Sequence, residues 1–314
     1  MRFSIETIPT VLLLLLPLYI AYNGWGVLAT LFFMLVWLMI RQTSIFTQTI
    51  GKKSCGLVLH SITLSHYVDK VRWSMEHVGI EFDEEEDIGI FGVFFMGRWV
   101  PALYDKGSKS LVSNSADILR YLYGKFYTQS NVEEFLRPSK EAVELEKKLD
   151  LLGLDLRRYM YYHLLVASPL PHESALTIWG LHSPNVPEWQ KYLLKAMMPL
   201  LRAFLCKVAN ITPEGALDGW KKSEKTFKEI DALLSDGRAY LLNTNHPTFV
   251  DVTFASLAAI LVFPDNYGGP RLVPESRPQL KFASADYQKH VKSFRQTPSG
   301  KFILKMYKER SQRD

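Results

Sequence analysis

Three short stretches of the chain place hydroxyls and backbone amides where they could hold an anion. In Ser65-His66-Tyr67-Val68-Asp69-Lys70-Val71-Arg72, a serine opens a run whose apolar residues Val68, Val71, Met75 and Val78 fall three and four apart. A hydroxyl beside the free N–H groups of a helix start favours negative charge, although the same serine also serves as a plain N-cap. Tyr67 adds a second hydroxyl, either another donor or a packed aromatic. Trp99-Val100-Pro101-Ala102-Leu103-Tyr104 is an extended run entered through a proline. Asn114-Ser115 begins a second helix, with Asn114 as cap and Asp117 three residues on. Its hydroxyl and amides make a second anion site of the same kind.

The remaining composition narrows the chemistry. The two cysteines, Cys55 and Cys206, cannot build a disulfide framework, so a reducing compartment is expected. No CxxC or HExxH spacing occurs, and no metal is expected. The chain has 314 residues, 47% hydrophobic and 22% charged, enough for a sizeable core. A net charge of +5 without a Lys/Arg block gives no nucleic-acid signature.

These residues need elements to position them. Residues 56–60 read as a strand, followed by a loop, and the run from Ser65 reads as a helix stopped at Gly79. Residues 80–88 form a second strand with a solvated acidic side, so a parallel βαβ unit is expected. The run through Pro101 turns at Asp105-Lys106-Gly107 into a hairpin partner at Ser110-Leu111-Val112, and the Asn114 helix follows. After about Ser130 the pattern is helical, with a long amphipathic helix behind Ser139. Further helices are expected at 188–209, 214–234 and 248–263, the last opened by the capping box Thr248-x-x-Asp251. The proline-rich interval 168–187 reads as a loop-rich cover.

This order resembles the glutathione transferase superfamily. The resemblance rests on the βαβ unit, the Val100-Pro101-Ala102-Leu103 run, the hairpin and the Asn114-Ser115 helix, and covers about residues 57–123. It is supported by the Thr248–Asp251 turn and by Thr297-Pro298-Ser299-Gly300. It implies an α/β thioredoxin-like domain (55–128) and an all-helical domain (129–314), behind an N-terminal segment (1–54). It also implies a cis Pro101, with Val100 pairing its backbone with the cysteinyl part of glutathione. Asn114 and Ser115 would hold the γ-glutamyl end, and Arg98 would lie near the glycyl carboxylate. Ser65 matches the residue that, in zeta, tau and omega classes, acts on the sulfur; a serine there donates to the thiolate. Without a cysteine at that position, disulfide exchange is disfavoured. Tyr67 is the second catalytic candidate. Tyr159, Tyr161, Tyr162, His163, Trp179 and Trp189 are candidates for an acceptor cleft between the domains, set against the plainer reading of core aromatics.

Residues 8–40 contain no charged side chain, long enough for a bilayer at about 20 apolar residues per span. The turn dipeptide Asn23-Gly24 divides the stretch, leaving a single helix or a helical hairpin open. Arg41, Lys52 and Lys53 follow it, which favours soluble domains in the cytosol, on the endoplasmic reticulum or another organelle membrane. Residues 41–54 read as a linker. The expectation is a membrane-anchored enzyme joining glutathione to a lipophilic electrophile or removing a group from one. The partners expected are glutathione, a hydrophobic acceptor, the bilayer and a second copy in a homodimer. A non-catalytic metaxin-like adaptor and a glutathione-dependent isomerase are the alternatives.

Overall fold

In the computed structural model of the chain, residues 26–49, 56–92, 100–167, 171–208 and 211–312 are described. Helix α1 spans Val27–Thr49. Its apolar side chains face outward, with Leu28 83% and Phe32 64% exposed. The helix continues past Arg41 to Thr49, where a linker was expected. No glycine or proline interrupts that polar stretch, and an established helix propagates at low cost. Residues 8–25, including the Asn23-Gly24 break, lie outside the described residues. Among the described residues no helix is long and apolar enough to cross a membrane.

Strand β1 (Leu57–Ile62), helix α2 (His66–His77) and strand β2 (Asp83–Asp87) form the expected parallel βαβ unit. Gly79, at φ 69°, lies beyond the C-cap of α2 and takes the conformation that a side chain would strain. Strands β3 (Ala102–Asp105) and β4 (Ser110–Ser113) complete an antiparallel hairpin, and helix α3 covers Ser115–Phe126. The sheet order β2-β1-β3-β4 is thioredoxin-like. Leu59, Val68, Val71, Met75, Leu103, Ile118 and Leu122 fill its core.

The acidic strand corrects one expectation. Most of the acids of β2 are withdrawn from solvent. Glu85, Glu86 and Asp87 are buried. Arg72 donates to Glu84 through Nε at 3.1 Å, and His60 Nδ1 lies 3.2 Å from Glu85. Ser183 donates to Glu86, and Gln190 Nε2 donates to Asp87 at 2.6 Å. Buried carboxylates persist only with such partners, and two of these come from far along the chain: Ser183 from the interval read as loop and Gln190 from the helix that follows it.

From helix α4 (Ser130–Leu136) onward the described chain has no strand. Helix α5 (Lys140–Tyr161) runs into a π-helical turn, Tyr162–Ala167. Then follow α6 (His172–Ile178), α7 (Glu188–Val208), α8 (Pro213–Leu234), α9 (Phe249–Ala258), α10 (Ala285–Phe294) and α11 (Pro298–Ser311). All of α9 is buried, as its apolar composition on every face requires. The Thr248 N–H and hydroxyl both donate to Asp251, at 2.7 and 2.9 Å, and Leu241 N–H donates to the same carboxylate at 2.7 Å. The capping box thus pins the turn before α9. The interval 171–187 carries α6 and does not merely loop. Gly180 (φ 104°) packs so closely on the Thr63 hydroxyl that a Cβ there would approach it to 2.4 Å, so this segment lies against the loop just before Ser65.

Candidate glutathione site

Three chain segments meet at one end of the sheet. Strand β1 ends at Ile62 and leads to Ser65; β3 starts at Ala102, after Pro101; β4 ends at Ser113, before Asn114. Antiparallel pairing sets His60 against Ala102, and continuing that register brings Pro101 level with Ser61. The Val100-Pro101 bond is cis. The Asn114 N–H donates to the Pro101 carbonyl at 3.2 Å, joining the proline turn to the start of α3. Helices α2 and α3 both begin at this end, so two sets of free N–H groups and two positive dipole ends converge there.

Ser65 is the N-cap of α2, its Oγ accepting from Val68 N–H at 3.3 Å. That bond uses a lone pair and leaves the hydroxyl proton free to donate. Asn114 caps α3, accepting from Ala116 N–H at 3.3 Å while its amide donates to Asp117 at 3.3 Å. Its backbone, at φ 74° and ψ 129°, lies where a non-glycine residue is strained by about 1–3 kcal/mol, a cost found mostly at binding sites. Ser115 is only 1% exposed, and its hydroxyl has no hydrogen-bond partner among the described residues. A buried hydroxyl without a partner is costly, and a carboxylate at the α3 start would satisfy it. Val100 is half-buried at the cis bond. Arg98 lies outside the described residues.

Tyr67 is placed differently from its catalytic candidacy. Its hydroxyl donates to the Asp150 carbonyl on α5 at 2.6 Å, across the domain boundary. Burial, followed by the Asp150 charge, pushes its pKa upward, so it stays a neutral donor already in use. Its neighbour His66 is buried, and desolvation followed by the Arg157 charge lowers its pKa to about 3. It is therefore neutral near pH 7.

The acceptor-cleft aromatics divide. Tyr159 hydroxyl meets His290 Nδ1 at 2.7 Å, and His163 Nδ1 meets Ser284 Oγ at 2.9 Å. Tyr159 packs with Trp220 and Tyr287, and His163 stacks on Tyr287, as a helical-domain core cluster, the plainer of the two readings. Trp189 packs near Phe91, with ring centroids 6.5 Å apart. One residue that sequence reasoning passed over is Arg157. It is half-buried on α5, electrostatically coupled to His66, Tyr67 and Tyr161. Its signal was present in the spacing: no acid stands three or four residues away on either side. Adjacent Arg158, by contrast, pairs with Asp155 at 3.7 Å.

No protein-family model and no curated protein matches this chain. Solved structures are similar to it. Beta-etherase LigF from Sphingobium sp. strain SYK-6 shares 17% identity with a TM-score of 0.45, over 80% of this chain and 99% of that one. A glutathione S-transferase of Ceriporiopsis subvermispora, in complex with glutathione, shares 14% identity with a TM-score of 0.43, over 81% and 97%. Glutathione transferase GSTFuA2 from Phanerochaete chrysosporium shares 16% with a TM-score of 0.45, over 81% and 97%. Values this low say nothing about chemistry. The chain's own topology, a βαβ unit and cis-proline hairpin followed by a helical domain around a buried helix, is that of the glutathione transferase fold.

Proposed function

We propose that the chain is a membrane-anchored, glutathione-dependent transferase acting on lipophilic electrophiles. The observation that carries the reading is the convergence of Ser65, the cis Val100-Pro101 bond and the unpartnered Ser115 hydroxyl at one end of the sheet. In this reading Ser115 and the α3 amides take the γ-glutamyl carboxylate, with Asn114 beside the ammonium group. The Val100 backbone pairs with the cysteinyl unit, and Ser65 donates to the sulfur. The thiol proton leaves to solvent. The thiolate then forms a C–S bond as the C–X bond of the acceptor breaks and X departs as an anion. A free thiol has a pKa of about 8.5. Lowering it by two units requires about 2.7 kcal/mol of preference for the anion. One charge-assisted hydrogen bond contributes about 1.5–3 kcal/mol and a helix start about 0.3–1 more, so Ser65 with the α2 N-terminus is sufficient without a base. The buried, unpartnered Ser115 hydroxyl favours a ligand-binding site over a non-catalytic adaptor.

The uncharged stretch 8–40 and the outward apolar face of α1 support the anchor, with the soluble domains in the cytosol. Two measurements test the reading on the full chain in detergent. Glutathione should raise the melting temperature in native protein and raise it less in Ser115→Ala at the same concentration; no shift in native protein overturns glutathione dependence. Carbonate extraction should leave the protein in the membrane pellet, and release to the supernatant overturns the anchor.

A further inference from the structure

Helices α2 and α5 pack so that contacts climb one as they descend the other. Lys70 Nζ binds Glu146 and Asp150, each at 2.9 Å. One turn nearer the start of α2, Tyr67 reaches the Asp150 carbonyl at 2.6 Å. At the first residue of α2, buried His66 lies beside the Gly153 backbone. Gly153 packs closely there: a Cβ on it would lie 2.8 Å from the Tyr67 hydroxyl oxygen. Arg157 is the next turn of α5 on the same face, about 6 Å further along. That step carries it toward the N-terminal end of α2, where its charge acts on His66 and Tyr67, the residues that follow Ser65.

Charges around that corner are otherwise accounted for. His66 is neutral, and the hydroxyls of Tyr67 and Tyr161 are both shifted upward by burial. Asp150 is held by Lys70. Asp155 lies near Arg158. Among the described residues Arg157 has neither a carboxylate nor a hydrogen-bond partner, although it is half-buried. A guanidinium presents five donors in a planar fork suited to a carboxylate, and partial burial strengthens such a contact relative to one in water.

We infer that Arg157 is the acceptor-binding cation of this site, and that its preferred acceptors are amphiphilic electrophiles carrying a carboxylate near the reactive carbon. The inference rests on the proposed glutathione site, since Ser65 fixes where the sulfur would stand. The guanidinium would orient the acceptor by its anionic end, leaving the apolar remainder toward the helical domain. Because Tyr67 is committed to Asp150, Arg157 also supplies a cationic donor that the tyrosine does not.

The test uses two aryl halides of nearly equal shape, 4-chloro-3,5-dinitrobenzoate and its methyl ester. Their binding to the full chain in detergent is measured by tryptophan quenching, with S-methylglutathione present to prevent reaction. Native protein should bind the acid about tenfold or more tightly than the ester. Arg157→Met should remove that preference, and Arg157→Lys should keep part of it, while glutathione affinity and melting temperature stay near native. No preference in native protein, or a preference that survives in Arg157→Met, overturns the inference. Loss of glutathione affinity in Arg157→Met to the same degree also overturns it, because the arginine would then belong to the glutathione site. Absence of glutathione binding in native protein is a separate result. It refutes the proposed function, whereas the acid–ester comparison still reads Arg157.

Discussion

The Asn114 N–H donates to the Pro101 carbonyl at 3.2 Å. This bond holds the proline turn and the first residues of α3 in one unit, so the groups assigned to the two halves of glutathione cannot shift independently. The adjacent Ser115 hydroxyl has no partner among the described residues. Ser115→Ala should therefore leave the melting temperature of ligand-free protein unchanged or slightly higher. It should weaken glutathione about tenfold or more, as loss of a hydrogen bond to a carboxylate implies. Calorimetric titration checks the affinity.

Ser65→Ala should do the reverse. Thiolate absorbance in the binary complex should titrate about one to two pH units higher, and conjugation should slow, with glutathione affinity nearly retained. Loss of the cap on α2 should also cost about 1 kcal/mol of stability. An unchanged titration would reduce Ser65 to a helix cap.

Gly153 and Tyr67 test the domain boundary. An added methyl at Gly153 meets the Tyr67 hydroxyl at 2.8 Å and Leu257 at 3.2 Å, so Gly153→Ala should destabilise by about 1–3 kcal/mol. Tyr67→Phe should cost about 1 kcal/mol through the lost bond to Asp150, with no effect on the thiolate titration. A shift in that titration would return Tyr67 to the catalytic group.

His66 should make folding sensitive to acid. Its pKa falls from 6.5 to about 3 in the folded chain through desolvation, then the Arg157 charge. Between those values the unfolded chain binds the extra proton, so stability falls as pH drops below 6.5, by at most about 1.4 kcal/mol per pH unit. Between pH 7 and pH 4 the denaturation midpoint of native protein should fall more than that of His66→Asn, so the stability of native protein minus that of the variant decreases with pH, whatever the offset at neutral pH.

Breaking the contact between the last helix and α2 should be costly. Arg310 donates to Asp69 at 2.9 Å and to Glu76 at 2.7 Å, and Tyr307 donates to Asp69 at 2.8 Å. Arg310→Met leaves Asp69 buried with reduced compensation and should destabilise by about 3–5 kcal/mol in urea unfolding. Asp69→Asn with Arg310→Met together should recover part of it.

Much of the first domain could be read from period and punctuation. Ser65, Gly79 and Asn114 each have a local reason for their place, a cap or a positive φ, and local reasons are visible in sequence. The Thr248–Asp251 box is legible for the same cause. The β2 acids were misread because their partners Ser183 and Gln190 lie about a hundred residues away, and no periodicity announces such a pairing. Tyr67 was ambiguous for the same reason: only the fold brings Asp150 to its hydroxyl. Helices α6 and α10 are short, at 7 and 10 residues, and depend on tertiary packing that a local pattern does not record.

The clamp from Arg310 and Tyr307 onto Asp69 has a consequence for synthesis. A chain emerging from the ribosome releases the βαβ unit long before residues 307–310, so Asp69 and Glu76 lack Tyr307 and Arg310 while the rest is made. The first domain cannot reach its final electrostatic state until translation ends. If the N-terminal stretch is already held by a bilayer at that stage, the nascent chain matures beside the membrane with its α2 surface still open. Quality-control proteases and chaperones would meet it in that state, and truncation of the last turn of α11 would leave Asp69 and Glu76 without Arg310 permanently.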